Sequence, residues 1–225
     1  PYTTLFRSSA NKDTGLRTLV LLTNFPDPPS TLSKLELPFR LRTLRLYNRS
    51  YDPTLLTTLF LSSRTSLTTL DLSLNPSARP YPALLSSLSL IAPTLQHLHL
   101  NHRPPPALIS QLAHCTSLDT LECHSSAPLT DVLDILPHPL RHLTLHLEYN
   151  LSEVVTVLAP RLRKPARRGM GGSLERLEVL EVQGCSRRTF WLFKMERWLE
   201  EWEAEGVEVR LDEVGEGGGE FVWRR

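Results

Sequence analysis

Leucine recurs along this chain in a fixed local pattern, L-x-x-L-x-L, separated by segments with a different hydrophobic period. The pattern occurs as Leu16-Leu19-Leu21, Leu41-Leu44-Leu46, Leu67-Leu70-Leu72 and Leu95-Leu98-Leu100. It continues as Leu118-Leu121-Cys123, Leu140-Leu143-Leu145 and Leu177-Leu180-Val182. Successive first leucines are 25, 26, 28, 23, 22 and 37 residues apart. Alternate residues of a strand face opposite ways, so the leucines at the fourth and sixth positions predict a short strand with one buried face. Val207–Leu211 predicts one more strand that closes the series.

Between these strings the period lengthens. Leu129, Val132, Leu133 and Leu136 fall at i, i+3, i+4 and i+7, as do Leu151, Val154, Val155 and Leu158. That spacing is one face of a helix. Asp52-Pro53, Pro82 and Pro106 stand where helix caps and first helical positions are expected. Leu37-Pro38, Ile91-Ala92-Pro93 and Leu136-Pro137 precede the next string by a few residues, where proline stops the helix and turns the chain back. Leu32-Leu35-Leu37 also matches, but lies nine residues before Leu41, too close for two successive strands, and reads as the return segment of its unit. Each unit is strand, turn, helix, turn.

Three segments depart from the repeat. Residues 161–173 carry a basic insertion, Arg161-Leu162-Arg163-Lys164-Pro165-Ala166-Arg167-Arg168 followed by a glycine-rich run, expected to be a disordered surface loop. Residues 188–205 predict a helix ended by Gly206, with Trp191, Met195, Trp198 and Trp202 along one side. A terminal repeat needs such a cover over its open core. Residues 212–225 form an acidic, glycine-rich tail. The first eight residues, Pro1–Ser8, match the in-frame translation of a common sequencing-adapter oligonucleotide, so they are set apart from the repeat domain at 9–211, and the native N-terminus is expected to lie upstream.

Composition narrows the function classes. The 225 residues include 46 leucines; 40% are hydrophobic and 22% charged, which fits a folded domain and not a disordered chain. No apolar run approaches the roughly 18 residues of a membrane span. Cys115, Cys123 and Cys185 are too few for a disulfide scaffold and favour an intracellular place, cytoplasmic or nuclear. Net charge is +1, with residues 1–112 at +6 and 113–225 at −5, and most of the acid lies in Glu196–Glu220. No overall field directs the chain to nucleic acid or a membrane. There is no glycine-rich phosphate loop, C-x-x-C, H-E-x-x-H or G-x-S-x-G, so no enzyme and no cofactor are expected. Asn48-Arg49-Ser50 and Asn150-Leu151-Ser152 match the glycosylation triplet, which matters only outside the cell.

From Leu16 to Leu211 the chain resembles the leucine-rich repeat family. The irregular 22–28-residue spacing with helical return segments is similar to the ribonuclease-inhibitor-like and F-box subclasses. The resemblance implies an α/β solenoid of about seven or eight repeats, with parallel strands on a concave face and helices on a convex one.

The strand alternation then marks a candidate binding surface. With leucines at positions four and six turned inward, positions three, five and seven face the concave side. Fifth positions include Arg45, Asp71, His99, Glu122 and Glu181; seventh positions include Tyr47, Asn101, His124 and His146; His97 and His142 occupy third positions. The histidines and Glu122 form a polar patch whose charge changes between about pH 5 and 8. His nitrogens with a carboxylate also suit zinc. Ligands spread along an open sheet rarely converge on a closed tetrahedron, however, so a partner-contacting patch is the reading adopted. It predicts a scaffold with a protein partner on its concave face. By resemblance this is the substrate-recognition arm of an F-box ubiquitin-ligase adaptor, docking a Skp-type adaptor through an upstream F-box. A regulator of small GTPases and an extracellular recognition protein are the alternatives. The GTPase regulators, however, resemble a longer and more regular 28–29-residue repeat.

Overall fold

The computed structural model describes residues 10–11, 15–21, 40–47, 53–73, 81–100, 106–124, 129–136, 140–146, 156–158, 174, 176–184, 195–204 and 206–212. The adapter-like segment, Leu32–Leu37, the basic insertion, Asn101, Cys185, Trp191 and the tail beyond Asp212 lie outside them. The chain divides into two compact units, residues 1–118 and 119–225.

The first unit opens with a two-residue antiparallel pair, β1 (Ala10–Asn11) with β2 (Gly15–Leu16), which the leucine pattern does not predict. Its sheet runs β3 (Thr18–Leu21), β4 (Thr43–Leu46), β5 (Thr69–Leu72) and β6 (His97–Leu100), all parallel and in chain order. Equivalent leucines stand side by side: Leu19 beside Leu44, Leu44 beside Leu70, Leu70 beside Leu98. Helix α1 (Pro53–Ser63) separates β4 from β5, and α2 (Tyr81–Ile91) separates β5 from β6. A third helix, α3 (Pro106–Gln111), follows β6. The prolines expected at helix starts are there: Pro53 and Pro106 open α1 and α3, and Pro82 is the second residue of α2. The Ala92-Pro93 step tightens the end of α2 into a 3₁₀ turn, Ala92–Thr94.

The second unit repeats the plan with β7 (Thr120–His124), β8 (His142–His146), β9 (Val179–Gln183) and β10 (Glu208–Asp212), again parallel and in chain order. Helix α4 (Leu129–Ile135) lies between β7 and β8, and residues 156–158, at the end of the second predicted helix, are helical. Helix α5 (Met195–Ala204) precedes β10 and buries Trp202. Gly206 ends it with a φ of +81°. Its N–H bonds to the Glu203 carbonyl at 2.9 Å and the Val207 N–H to that of Trp202 at 3.0 Å. This is the Schellman pattern, which needs a left-handed residue.

Both cores are leucine. Leu44, Leu46, Leu56, Leu67, Leu70, Leu88 and Leu95 are fully buried in the first unit, as are Leu140, Leu158, Leu180 and Val182 in the second. Each such side chain contributes about 1.5–3 kcal/mol. Cys123 takes the sixth-position place of a leucine and is 1% exposed; Cys115 is buried at the turn before β7. Neither sits where a nucleophile would meet solvent, and burial pushes both thiols up, Cys115 to about 11 and Cys123 to about 12.

Hydroxyls tie successive turns together. The residue just before the first leucine is Ser66, Thr94 or Ser117 in three consecutive units. Ser66 Oγ donates to the Leu41 carbonyl at 2.8 Å, Thr94 Oγ1 lies 3.0 Å from that of Leu67, and Ser117 Oγ donates to that of Pro93 at 2.7 Å. The buried Ser63 hydroxyl accepts the Leu41 N–H at 3.0 Å. Each bond satisfies a backbone group that the turn leaves outside any ladder.

Candidate functional site

The parallel register fixes which polar side chains become neighbours. In the first unit it aligns Arg45, Asp71 and His99 at fifth positions of β4, β5 and β6. The alternation of burial places these residues opposite the leucine core, but Asp71 is not a surface group. It is 6% exposed, whereas Arg45 is exposed. Tyr47, the residue after β4, donates its hydroxyl to Asp71 Oδ2 at 2.5 Å. His99 Nδ1 lies 3.1 Å from Asp71 Oδ1. Two large rings from the flanking strands thus close over the small carboxylate. Burial alone would raise the Asp71 carboxyl; the bonds from His99 and Tyr47 outweigh it and hold the group below its ordinary value. Burial and the bond to Asp71 raise the Tyr47 phenol. The positive charge of Arg45 acts on both the Tyr47 phenol and the Asp71 carboxylate, and a polar chain runs across three neighbouring strands from Tyr47 through Asp71 to His99. His97, at a third position beside Thr69, is exposed and outside that chain.

In the second unit the fifth positions align Glu122, Thr144, Glu181 and Arg210. The seventh positions align His124, His146, Gln183 and Asp212. His146 Nε2 meets Glu122 Oε1 at 2.5 Å. Gln183 donates to Glu181 at 2.6 Å, which orients that carboxylate. His142 is half-buried at a third position beside Thr120 and Val179. The two units share one geometric rule. Tyr47 reaches Asp71, and His146 reaches Glu122, each a seventh-position side chain crossing to the fifth position of the neighbouring strand.

On the edge leading into these strands Arg141 grips Glu178 with both arms of its guanidinium, Nε at 3.0 Å and Nη2 at 2.9 Å, with Asp119 3.9 Å away. All three are second-position residues of successive strands, a pattern the sequence reading did not pick out. The signal was present as opposite charges recurring at one repeat position.

The site therefore brings Arg45, Tyr47, Asp71 and His99 together in one unit, and Glu122 with His146 in the other. It leaves His97, His142 and Glu181 outside these two clusters. Asn101 lies outside the described residues. Chemically, the two clusters offer fixed donors and acceptors of mixed charge. No helix among the described residues is long and apolar enough to cross a membrane. No family model matches the sequence, and no curated protein matches it.

Proposed function

We infer that this chain is a non-enzymatic interaction scaffold of the leucine-rich repeat type, which presents the polar face of its strands to a protein partner. The observation that carries this reading is the division of labour within each strand. Leucines fill the inward positions, while the outward ones carry Arg45, Asp71, His99, Glu122 and Glu181 in register. Strand-borne side chains tied to one another lose little freedom when a partner arrives, which favours specific recognition. The ubiquitin-ligase reading rests on the resemblance of the repeat to the F-box subclass, with a Skp-type adaptor as the expected second partner.

The experiment compares two sets of variants of the full chain by quantitative co-purification. Arg45→Ala, His97→Ala and Glu181→Ala alter the polar face; Leu61→Ser and Leu90→Ser alter exposed helix positions. The expected result is a partner retained by the helix variants and lost from the strand-face variants. The converse pattern sinks the assignment of the binding face. Sequencing the 5′ end of the transcript tests the F-box reading separately: an F-box coding segment supports it, and a signal peptide overturns it.

A further inference from the structure

We propose that the rim of the first unit where the chain enters its strands docks an acidic segment of a partner protein. The inference rests on the scaffold reading and gives its partner a charge. Arg17 stands immediately before β3, Arg40 and Arg42 just before β4, and Arg64 in the turn that leads into β5. These strands are parallel, so the four arginines fall at one end of the sheet. Arg40, Arg42 and Arg64 are exposed and Arg17 is half-buried. Hydrogen bonds fix the backbone beneath them. The Arg42 N–H donates to the Arg17 carbonyl at 2.8 Å, the Thr68 N–H to that of Arg42 at 2.9 Å, and the Thr94 hydroxyl to that of Arg64 at 3.2 Å. Nothing among the described residues of this unit neutralises the rim. The only carboxylate among them is Asp71, which is 6% exposed and engaged by Tyr47 and His99. No ion pair among the described residues involves Arg17, Arg40, Arg42 or Arg64. Over the whole unit, residues 1–118 carry 11 lysines and arginines against 5 aspartates and glutamates.

The second unit shows what an arginine at this repeat position does when a carboxylate is within reach. There the second positions are Asp119, Arg141 and Glu178, and Arg141 holds Glu178 through Nε at 3.0 Å and Nη2 at 2.9 Å. The backbone is alike in the two units: the Glu178 N–H donates to the Arg141 carbonyl at 2.8 Å, as that of Arg42 does to Arg17. In the first unit, however, the neighbours of Arg42 at that position are Arg17 and Thr68. Like charges set side by side on adjacent strands repel. The repulsion is relieved when a carboxylate comes between them, and here only a partner can bring it. Guanidinium forks bind planar carboxylates through two parallel hydrogen bonds, which adds geometric selectivity to the attraction. No exposed aromatic ring among the described side chains accompanies these arginines, so the rim lacks the stacking platform that single-stranded nucleic acid uses. An acidic peptide segment is the ligand that fits.

The test follows a fluorescein-labelled peptide of alternating Glu and Asp by anisotropy as the full chain is added. Its Gln/Asn counterpart and a single-stranded DNA of equal charge are run beside it. The acidic peptide should bind at least about tenfold more tightly than the neutral one, and raising salt from about 0.05 to 0.3 M should loosen the complex. These comparisons need no variant. The combined Arg17→Gln, Arg42→Gln and Arg64→Gln chain should then bind the acidic peptide roughly tenfold more weakly. Arg176→Gln, at an exposed position of the second unit, should change nothing. Equal binding of the two peptides, DNA binding as tight as that of the acidic peptide, or wild-type affinity in a rim variant with an unchanged dichroism spectrum overturns the inference. So does salt-sensitive self-association in sedimentation that the rim variant abolishes, which would seat a second copy of the chain there. None of these outcomes bears on the strand-face and helix variants that test the scaffold reading, so the two fail separately.

Discussion

Asp71 shows how a residue can be polar by sequence position and buried by circumstance. Its fifth position in the repeat predicts exposure, since alternation alone turns it away from the leucine core. What buries it is the size of Tyr47 and His99, whose rings close over a side chain too short to emerge between them. That depends on side-chain length across three strands and is not visible within any one of them. An Asp71→Asn chain presents an amide hydrogen where Tyr47 or His99 needs an acceptor. It should lose about 1–3 kcal/mol in urea melts at neutral pH. The effect has a pH signature. The folded Asp71 carboxyl sits below its ordinary 3.8, so its contribution is fully present above that value and is lost as pH falls through the lower, folded one. Wild type and Asp71→Asn should converge in stability below about pH 3.8. A constant gap down to pH 2 would show that the charge of Asp71 does not matter.

At the scale of the element, the strands were legible and several boundaries were not. The seven L-x-x-L-x-L strings read as strands and the closing Val207–Leu211 segment fall on or within two residues of a parallel strand, because one inward face with a fixed spacing leaves little alternative. The β1–β2 pair was not legible, since two-residue strands carry no alternation. The hydroxyl ties were legible in principle: Ser66, Thr94 and Ser117 recur immediately before a first leucine, but a polar residue in a turn attracts no notice without its acceptor. The end of α5 was read correctly from Gly206, and the reason is conformational. A Cβ at Gly206 meets nothing within 4 Å, so substitution there costs backbone strain and not a clash. Gly206→Ala should therefore destabilise the second unit by about 1–2 kcal/mol without altering its packing. Differential scanning calorimetry with unchanged near-ultraviolet dichroism would show this; a lost Trp202 signal would point to packing instead.

Within each unit, stability comes from repeated, equivalent packing between neighbouring strands. Leu98 of β6 is 1% exposed and lies beside Leu70 of β5. Leu98→Ala leaves a cavity and should cost about 2–5 kcal/mol, measured as a shift in the urea midpoint at constant slope. A loss under 0.5 kcal/mol would mean the side chain is not core. The pattern of leucines foretold this architecture, whereas the chemistry of its polar face emerged only once strands were set in register. Glu122 and His146 are 24 residues apart in the chain and meet because the register sets Glu122 beside Thr144, within diagonal reach of the His146 side chain two residues on.

The hydroxyl ties have a consequence for how such a chain changes over time. In two of the tied turns the spans are equal, Ser63 to Leu67 and Ile91 to Leu95, while the third, Gln111 to Leu118, keeps its tie through Ser117 with a longer span. The opposite connections are unequal, Leu46 to Pro53 being shorter than Leu72 to Tyr81. One rim of the sheet keeps its hydroxyl ties in three successive units; the other carries no such repeated tie among the described residues. Insertions and deletions should then accumulate on that second rim, where they reshape the border of the polar face while the leucine frame stays as it is. New specificity can arise there by drift in loop length, with no change in the residues that hold the fold.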